Sequence, residues 1–136
     1  MPSARAWPRI IVVGLLLGAP LLTGLAVTLV KSKLKQDAVA QALTGGDPAL
    51  APPIFRRYGC VGCHTIPGVP GADGKVGGQL GGLSQQVYIG GVANNSADNL
   101  LTWIVSPQRF SANSAMPATG ITEAEARHLA AYLYAL

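Results

Sequence analysis

Charged, apolar and chain-breaking residues divide this sequence into two unlike parts. From Ile10 to Val30 no charge interrupts a run dominated by Leu, Val, Ile, Ala and Gly. At about 1.5 Å per residue such a run makes a helix of roughly 31 Å, enough to cross a hydrocarbon core. A retained membrane anchor is therefore expected over about residues 10–30, after a short tip at 1–9. A cleaved secretory signal is the alternative, with Gly24-Leu25-Ala26 as a small-x-small site. The apolar run continues past that site, and its length favours the anchor.

Residues 31–46 are expected to form a stalk or linker. Lys31–Leu43 consists of helix formers without a breaker, Leu34, Ala38 and Ala42 fall on one face, and Thr44-Gly45-Gly46 supplies a stop. A helix of about three further turns and a frayed linker fit that weak periodicity equally.

Residues 47–136 show short helical patterns between Gly/Pro-rich loops and little period-2 alternation, so an all-α head is expected. Asp47-Pro48 reads as a cap and first helical residue, but Pro52-Pro53 would break a helix begun there. A helix from the second proline pair through Ile54–Tyr58, ending at Gly59, is preferred. Pro67–Gly82 and Ser111–Gly120 read as loops. Ser96 caps a helix over Asp98–Val105 that Pro107 closes, with Leu100, Leu101, Trp103 and Ile104 on its buried side. Thr122-Glu123-Ala124-Glu125 is a capping box opening a last helix, with Ala126, Leu129, Ala130 and Leu133 on one face.

Charge sharpens the division. Five of the ten basic residues, Arg5, Arg9, Lys31, Lys33 and Lys35, flank the apolar run, as suits anionic headgroups. From Asp37 onward Arg56, Arg57, Lys75, Arg109 and Arg127 stand against six acids, leaving −1. The head has no basic stripe, which excludes a nucleic-acid surface.

The chemistry sits in Cys60-Val61-Gly62-Cys63-His64. Two thiols two residues apart can add to the vinyl groups of haem, and the adjacent histidine is then an axial ligand; C-x-x-C-H is the signature of covalent haem c attachment. These are the only two cysteines in the chain. A disulfide redox motif would need a βαβ context, whereas helix and loop surround this one. A zinc site from Cys60, Cys63, His64 and His128 would need adjacent Cys63 and His64 to reach one tetrahedral ion. For the sixth position the candidates are Met116, in a breaker-rich loop, and His128, inside the last helix. Met116 is favoured, because His128 reads as a partly exposed helix residue. A His/Met pair raises the reduction potential and fills both axial positions, which suits electron transfer.

The run YGCVGCHTIPGVPGADGKVG, the segment YIGGVANNSADNLLTWIVSPQ, the AMP around Met116 and the ending ITEAEARHLAAYLYAL resemble the class I cytochromes c. They look most like small membrane-anchored forms associated with bacterial respiratory complexes such as haem–copper terminal oxidases. The resemblance covers about Gly45 to Leu136. It implies an all-α domain around one covalent haem c, with first and last helices crossing. Cys60 and Cys63 would be the thioether sites, His64 the proximal ligand and Met116 the distal one. Tyr88 and Trp103 match aromatic positions near the haem propionates, although Trp103 also reads as an ordinary core residue.

Three departures stand out. Relatives often carry Gly-Pro-Pro-Leu where this chain has Gly77-Gly78-Gln79-Leu80, so Gly78 stands where a proline carbonyl accepts the proximal histidine's N–H. Relatives often have basic residues where this chain has Gln85-Gln86-Val87, and Pro52-Pro53 shortens the first helix.

The resemblance implies an electron carrier rather than an enzyme, anchored in the inner membrane by one span, with redox proteins of a respiratory complex as partners. Positive residues are nearly balanced across the span; attachment of haem after export in this family places the head on the periplasmic side. A haem enzyme or gas sensor with a displaceable sixth ligand is the alternative, and a structural subunit with an incidental haem is a third.

Overall fold

The computed structural model describes residues 6–136, with side chains described from Gly18 onward. The chain divides into two compact units, Met1–Lys35 and Gln36–Leu136. Helix α1 is Ala6–Thr44 and contains Pro20. Within the first unit its stretch from Gly18 to Val30 carries no charge, and Leu21, Leu22, Leu25, Leu29 and Val30 are all more than half exposed. The Thr23 and Thr28 hydroxyls bond back to the carbonyls of Ala19 and Leu25, at 2.8 and 2.7 Å. No helix among the described residues is long and apolar enough to cross a membrane. The expected span starts at Ile10, and the side chains of Ile10–Leu17 lie outside the described residues, as does most of the expected tip.

The second unit begins with the last turns of α1. Its buried residues there are Ala40, packed with Ala131 and Ala135, and Thr44. Leu34, Ala38 and Ala42, which share a face by periodicity, are exposed instead. Small side chains allow the close approach, and α1 stops as its sequence predicts, with Gly45 in the left-handed region at φ 70°. Asp47 then caps a short 3₁₀ turn at Pro48–Leu50, its carboxylate accepting the Ala49 amide at 2.9 Å. Helix α2, Ala51–Arg57, follows directly. Pro52 and Pro53 do not break it, because they occupy its first turn, where backbone N–H groups have no intrahelical partner.

Helix α3 is the single turn Cys60–Cys63. A loop follows, crossed by the Thr65–Asp73 bridge and anchored by buried Ile66, Val69 and Ala72. The expectation of an all-α head needs one correction. Strands β1, Tyr88–Ile89, and β2, Ala93–Asn94, pair antiparallel, with Tyr88 opposite Asn94 and Ile89 opposite Ala93. Two-residue strands are too short to leave an alternating pattern in the sequence.

Helix α4, Ala97–Val105, is capped by Ser96, whose hydroxyl accepts the Asn99 amide at 3.2 Å. Helix α5, Glu123–Tyr134, is capped by Thr122. Leu100, Leu101 and Ile104 of α4 and Ala126, Leu129, Ala130 and Leu133 of α5 are buried in one cluster with Ile54 and Phe55. Helix α5 packs against α2, α4 and the 48–50 turn, and Phe55 meets Tyr132 edge-on at 5.5 Å. The first and last helices of the head thus meet, as the resemblance implies. Each fully buried Leu, Ile or Phe contributes roughly 1.5–3 kcal/mol, so this cluster holds α2, the helix that leads into Cys60, against α5.

Candidate haem-attachment site

Helix α2 gives way to α3 through Tyr58 and Gly59, the latter in the left-handed region at φ 73°. That turn suits a residue without a Cβ. It swings the chain so that Cys60 and Cys63 lie at either end of one helical turn. Both thiols are free, Cys60 half-buried and Cys63 exposed. Burial pushes the Cys60 thiol above its ordinary pKa, and the neighbouring Cys63 adds to the rise.

His64 leaves the helix in an extended conformation, its amide bonded to the Cys60 carbonyl at 2.9 Å. Its Nδ1–H donates to the Gly78 carbonyl at 2.6 Å. The hydrogen bond implied by the family survives on glycine, and it fixes the tautomer: Nδ1 holds the proton and Nε2 keeps a lone pair. The loop that brings Gly78 round is itself pinned to the cysteine turn. The Gly77 amide donates to the Cys63 carbonyl at 2.7 Å, and the Thr65 hydroxyl donates to the Gly74 carbonyl at 3.0 Å.

Gly77 is the residue that sequence reasoning missed. A Cβ there would stand 2.6 Å from Nδ1 and 2.8 Å from Nε2 of His64, and nearer still to Cε1. The imidazole therefore lies flat on the Gly77 backbone. At Gly78 an added Cβ would meet nothing within 4 Å. The Gly-Gly pair was the only signal of this cradle.

The other site residues are placed separately. Met116 is partly buried in the loop before α5; its amide donates to the Ser114 hydroxyl at 3.2 Å and its carbonyl accepts the Gln108 side chain at 2.9 Å. Tyr88 is exposed on β1. Trp103, half-buried on α4, lies against the tip of the same hairpin, where a Cβ on Gly90 would stand 2.7 Å from its ring. His128 is engaged elsewhere: its Nδ1 accepts the Asp47 amide at 2.8 Å. It joins the end of α1 to α5, where the Arg127 guanidinium also bonds the Thr44 carbonyl at 2.9 Å.

Two free thiols on one turn and an adjacent imidazole with its Nε2 uncommitted fit covalent haem c. No curated protein and no solved structure matches the chain significantly. The family model for cytochrome c matches residues 49–136, well over half of the chain and all of the elements just described from α2 to α5. The thiol pair, the oriented histidine and this match together make the chain a member of the cytochrome c family, carrying covalently bound haem c.

Proposed function

We propose that this protein is a membrane-anchored electron carrier whose single haem c is ligated by His64 and Met116. The observation that carries the reading is the 2.6 Å bond from His64 Nδ1 to the Gly78 carbonyl, which commits one ring nitrogen and presents the other. Haem c supplies reversible one-electron chemistry when bound. Cys60 and Cys63 hold it through thioethers, so it is retained in either oxidation state. His64 keeps its orientation because Gly77, lacking a Cβ, leaves room for the ring and Gly78 holds its proton. Met116, in a loop tied by Ser114 and Gln108, would supply its thioether as the second protein ligand to the iron. With a histidine and a methionine both holding the iron, the site would favour electron transfer over oxygen chemistry. A redox titration of the purified protein tests this. A single reversible one-electron wave is expected, and turnover of a small-molecule substrate would instead support the enzyme reading.

The anchor reading draws support from residues 18–30. An uncharged helix with its leucines exposed is suited to lipid, and hydroxyls satisfied by their own helix are suited to a solvent that offers no partners. The head is then periplasmic, beside a redox partner in the inner membrane such as a respiratory terminal oxidase. A side-chain charge of −1 over the head supplies little long-range steering. Tethering replaces steering by raising the effective concentration of head and partner. Turnover of native membranes from low to moderate salt should therefore change little. A steep fall with salt, or full activity without residues 1–35, would reject the tethered reading.

A further inference from the structure

The T-x-x-E sequence at Thr122–Glu125 predicts a reciprocal cap, and only half of it serves the helix. The Thr122 hydroxyl accepts the Glu125 amide at 3.2 Å. The Glu125 carboxylate turns across to α2 instead. Its Oε1 accepts Arg57 Nη1 at 2.5 Å, while Oε2 accepts the Tyr58 hydroxyl at 2.6 Å and the Thr122 hydroxyl at 2.9 Å. Three donors converge on one acid, an arrangement that favours its ionised, acceptor-only form. The Tyr58 hydrogen bond, followed by that of Thr122 and the charge of Arg57, holds the Glu125 carboxyl below its usual range. The same bond raises Tyr58.

The sequence position of these partners gives the carboxylate a role. Arg57 and Tyr58 are the last residues before the Gly59 turn and Cys60, and α3 buries no residue of its own. Its placement therefore depends on the segment that precedes it together with the Gly77–Cys63 bond on its far side. Thr122 ends the irregular stretch that holds Met116. We infer that Glu125 is a positioning residue: one carboxylate fastens the cysteine turn to the end of the methionine loop and fixes the spacing of the two ligand-bearing segments. The inference rests on the His64/Met116 reading above. Glu123 supplies the internal control. It has the same charge, sits on the same turn of α5, and among the described residues pairs within that helix, with Arg127 at 2.5 Å.

The test compares the haem-loaded wild type with Glu125→Ala, Glu125→Gln, Tyr58→Phe and Glu123→Ala. Amide hydrogen exchange is followed at residues 58–64 and 111–122, and carbon monoxide binding on the reduced proteins. Glu125→Ala should raise exchange by about tenfold in both segments, since charge-assisted bonds to both are lost. Its iron should take up carbon monoxide several-fold faster than wild type. Glu125→Gln and Tyr58→Phe should fall between, and they carry the test if Glu125→Ala does not accumulate. Glu123→Ala should leave both segments within about twofold of wild type, as expected for an exposed pair. Unchanged exchange at 58–64, or an equal response to Glu123→Ala, overturns the clip. If wild type takes up carbon monoxide as fast as Glu125→Ala while both segments still respond, the clip stands and ligation by Met116 fails.

Discussion

Two adjacent glycines should respond in opposite ways to the same added methyl group. Gly77→Ala places a Cβ 2.6 Å from His64 Nδ1, short of ordinary van der Waals separation by roughly 0.9 Å. The neighbour is a ring atom fixed by the Gly78 bond, not the free end of a flexible chain. Relief requires the imidazole to turn or the loop to lift away from Cys63. Overpacking of this kind costs about 1–3 kcal/mol, and losing the Nδ1–Gly78 bond adds about 0.5–1.5 kcal/mol. The expected loss is thus about 2–4 kcal/mol, on the order of 10–20 °C in Tm for a domain this size. Gly78→Ala meets open space and narrows the unfolded ensemble, so it should be neutral or stabilise by up to about 1 kcal/mol. Thermal unfolding of the haem-loaded proteins, with the reduction potential measured alongside, checks both. A Gly77→Ala protein within about 1 kcal/mol of wild type, or a Gly78→Ala protein equally damaged, would refute the cradle.

Gly46→Ala should be among the most damaging glycine changes, because its Cβ would overlap the Arg127 carbonyl and stand 2.6 Å from the His128 amide nitrogen; urea unfolding measures the loss, expected to be several kcal/mol. Stability should also depend on pH through Glu125. Its folded-state pKa is depressed, so its contribution is present above the ordinary carboxylate value near 4.3 and lost as pH falls through the folded value. Glu125→Gln should flatten that acid limb of a urea-midpoint profile, and an unchanged limb would assign it to other groups. Protease added to intact spheroplasts should release a soluble haem fragment, and protection of the head would reverse the proposed topology.

Much of the fold was legible because it is local. The caps at Ser96 and Thr122, the stop at Gly45 and the apolar faces of α4 and α5 depend on neighbours within a few residues, and the structure has them. The cysteine pair and His64 were legible for the same reason. The buried side of α1 was not, since Ala40 is inside through packing with Ala131 and Ala135, about ninety residues on, and Thr44 lies where Arg127 reaches back to its carbonyl. Nor was the hairpin at Tyr88–Asn94, which rests on two residue pairs. At the site, resemblance pointed to the Gly78 carbonyl, but the need for glycine at 77 depends on how closely the ring lies on the backbone. The T-x-x-E pattern predicts Glu125 as a cap. Its carboxylate answers instead to Arg57 and Tyr58, which nothing near it in the chain reveals.

The proposed carrier would hold its haem iron between His64 and Met116. Carbon monoxide added to the reduced protein tests this most directly, with Met116→Ala and His128→Ala beside it. Wild type and His128→Ala should show no rapid adduct, because His128 Nδ1 is already held by the Asp47 amide, and Met116→Ala should form one at once. Rapid binding by wild type, or by His128→Ala while Met116→Ala stays closed, would contradict the assignment.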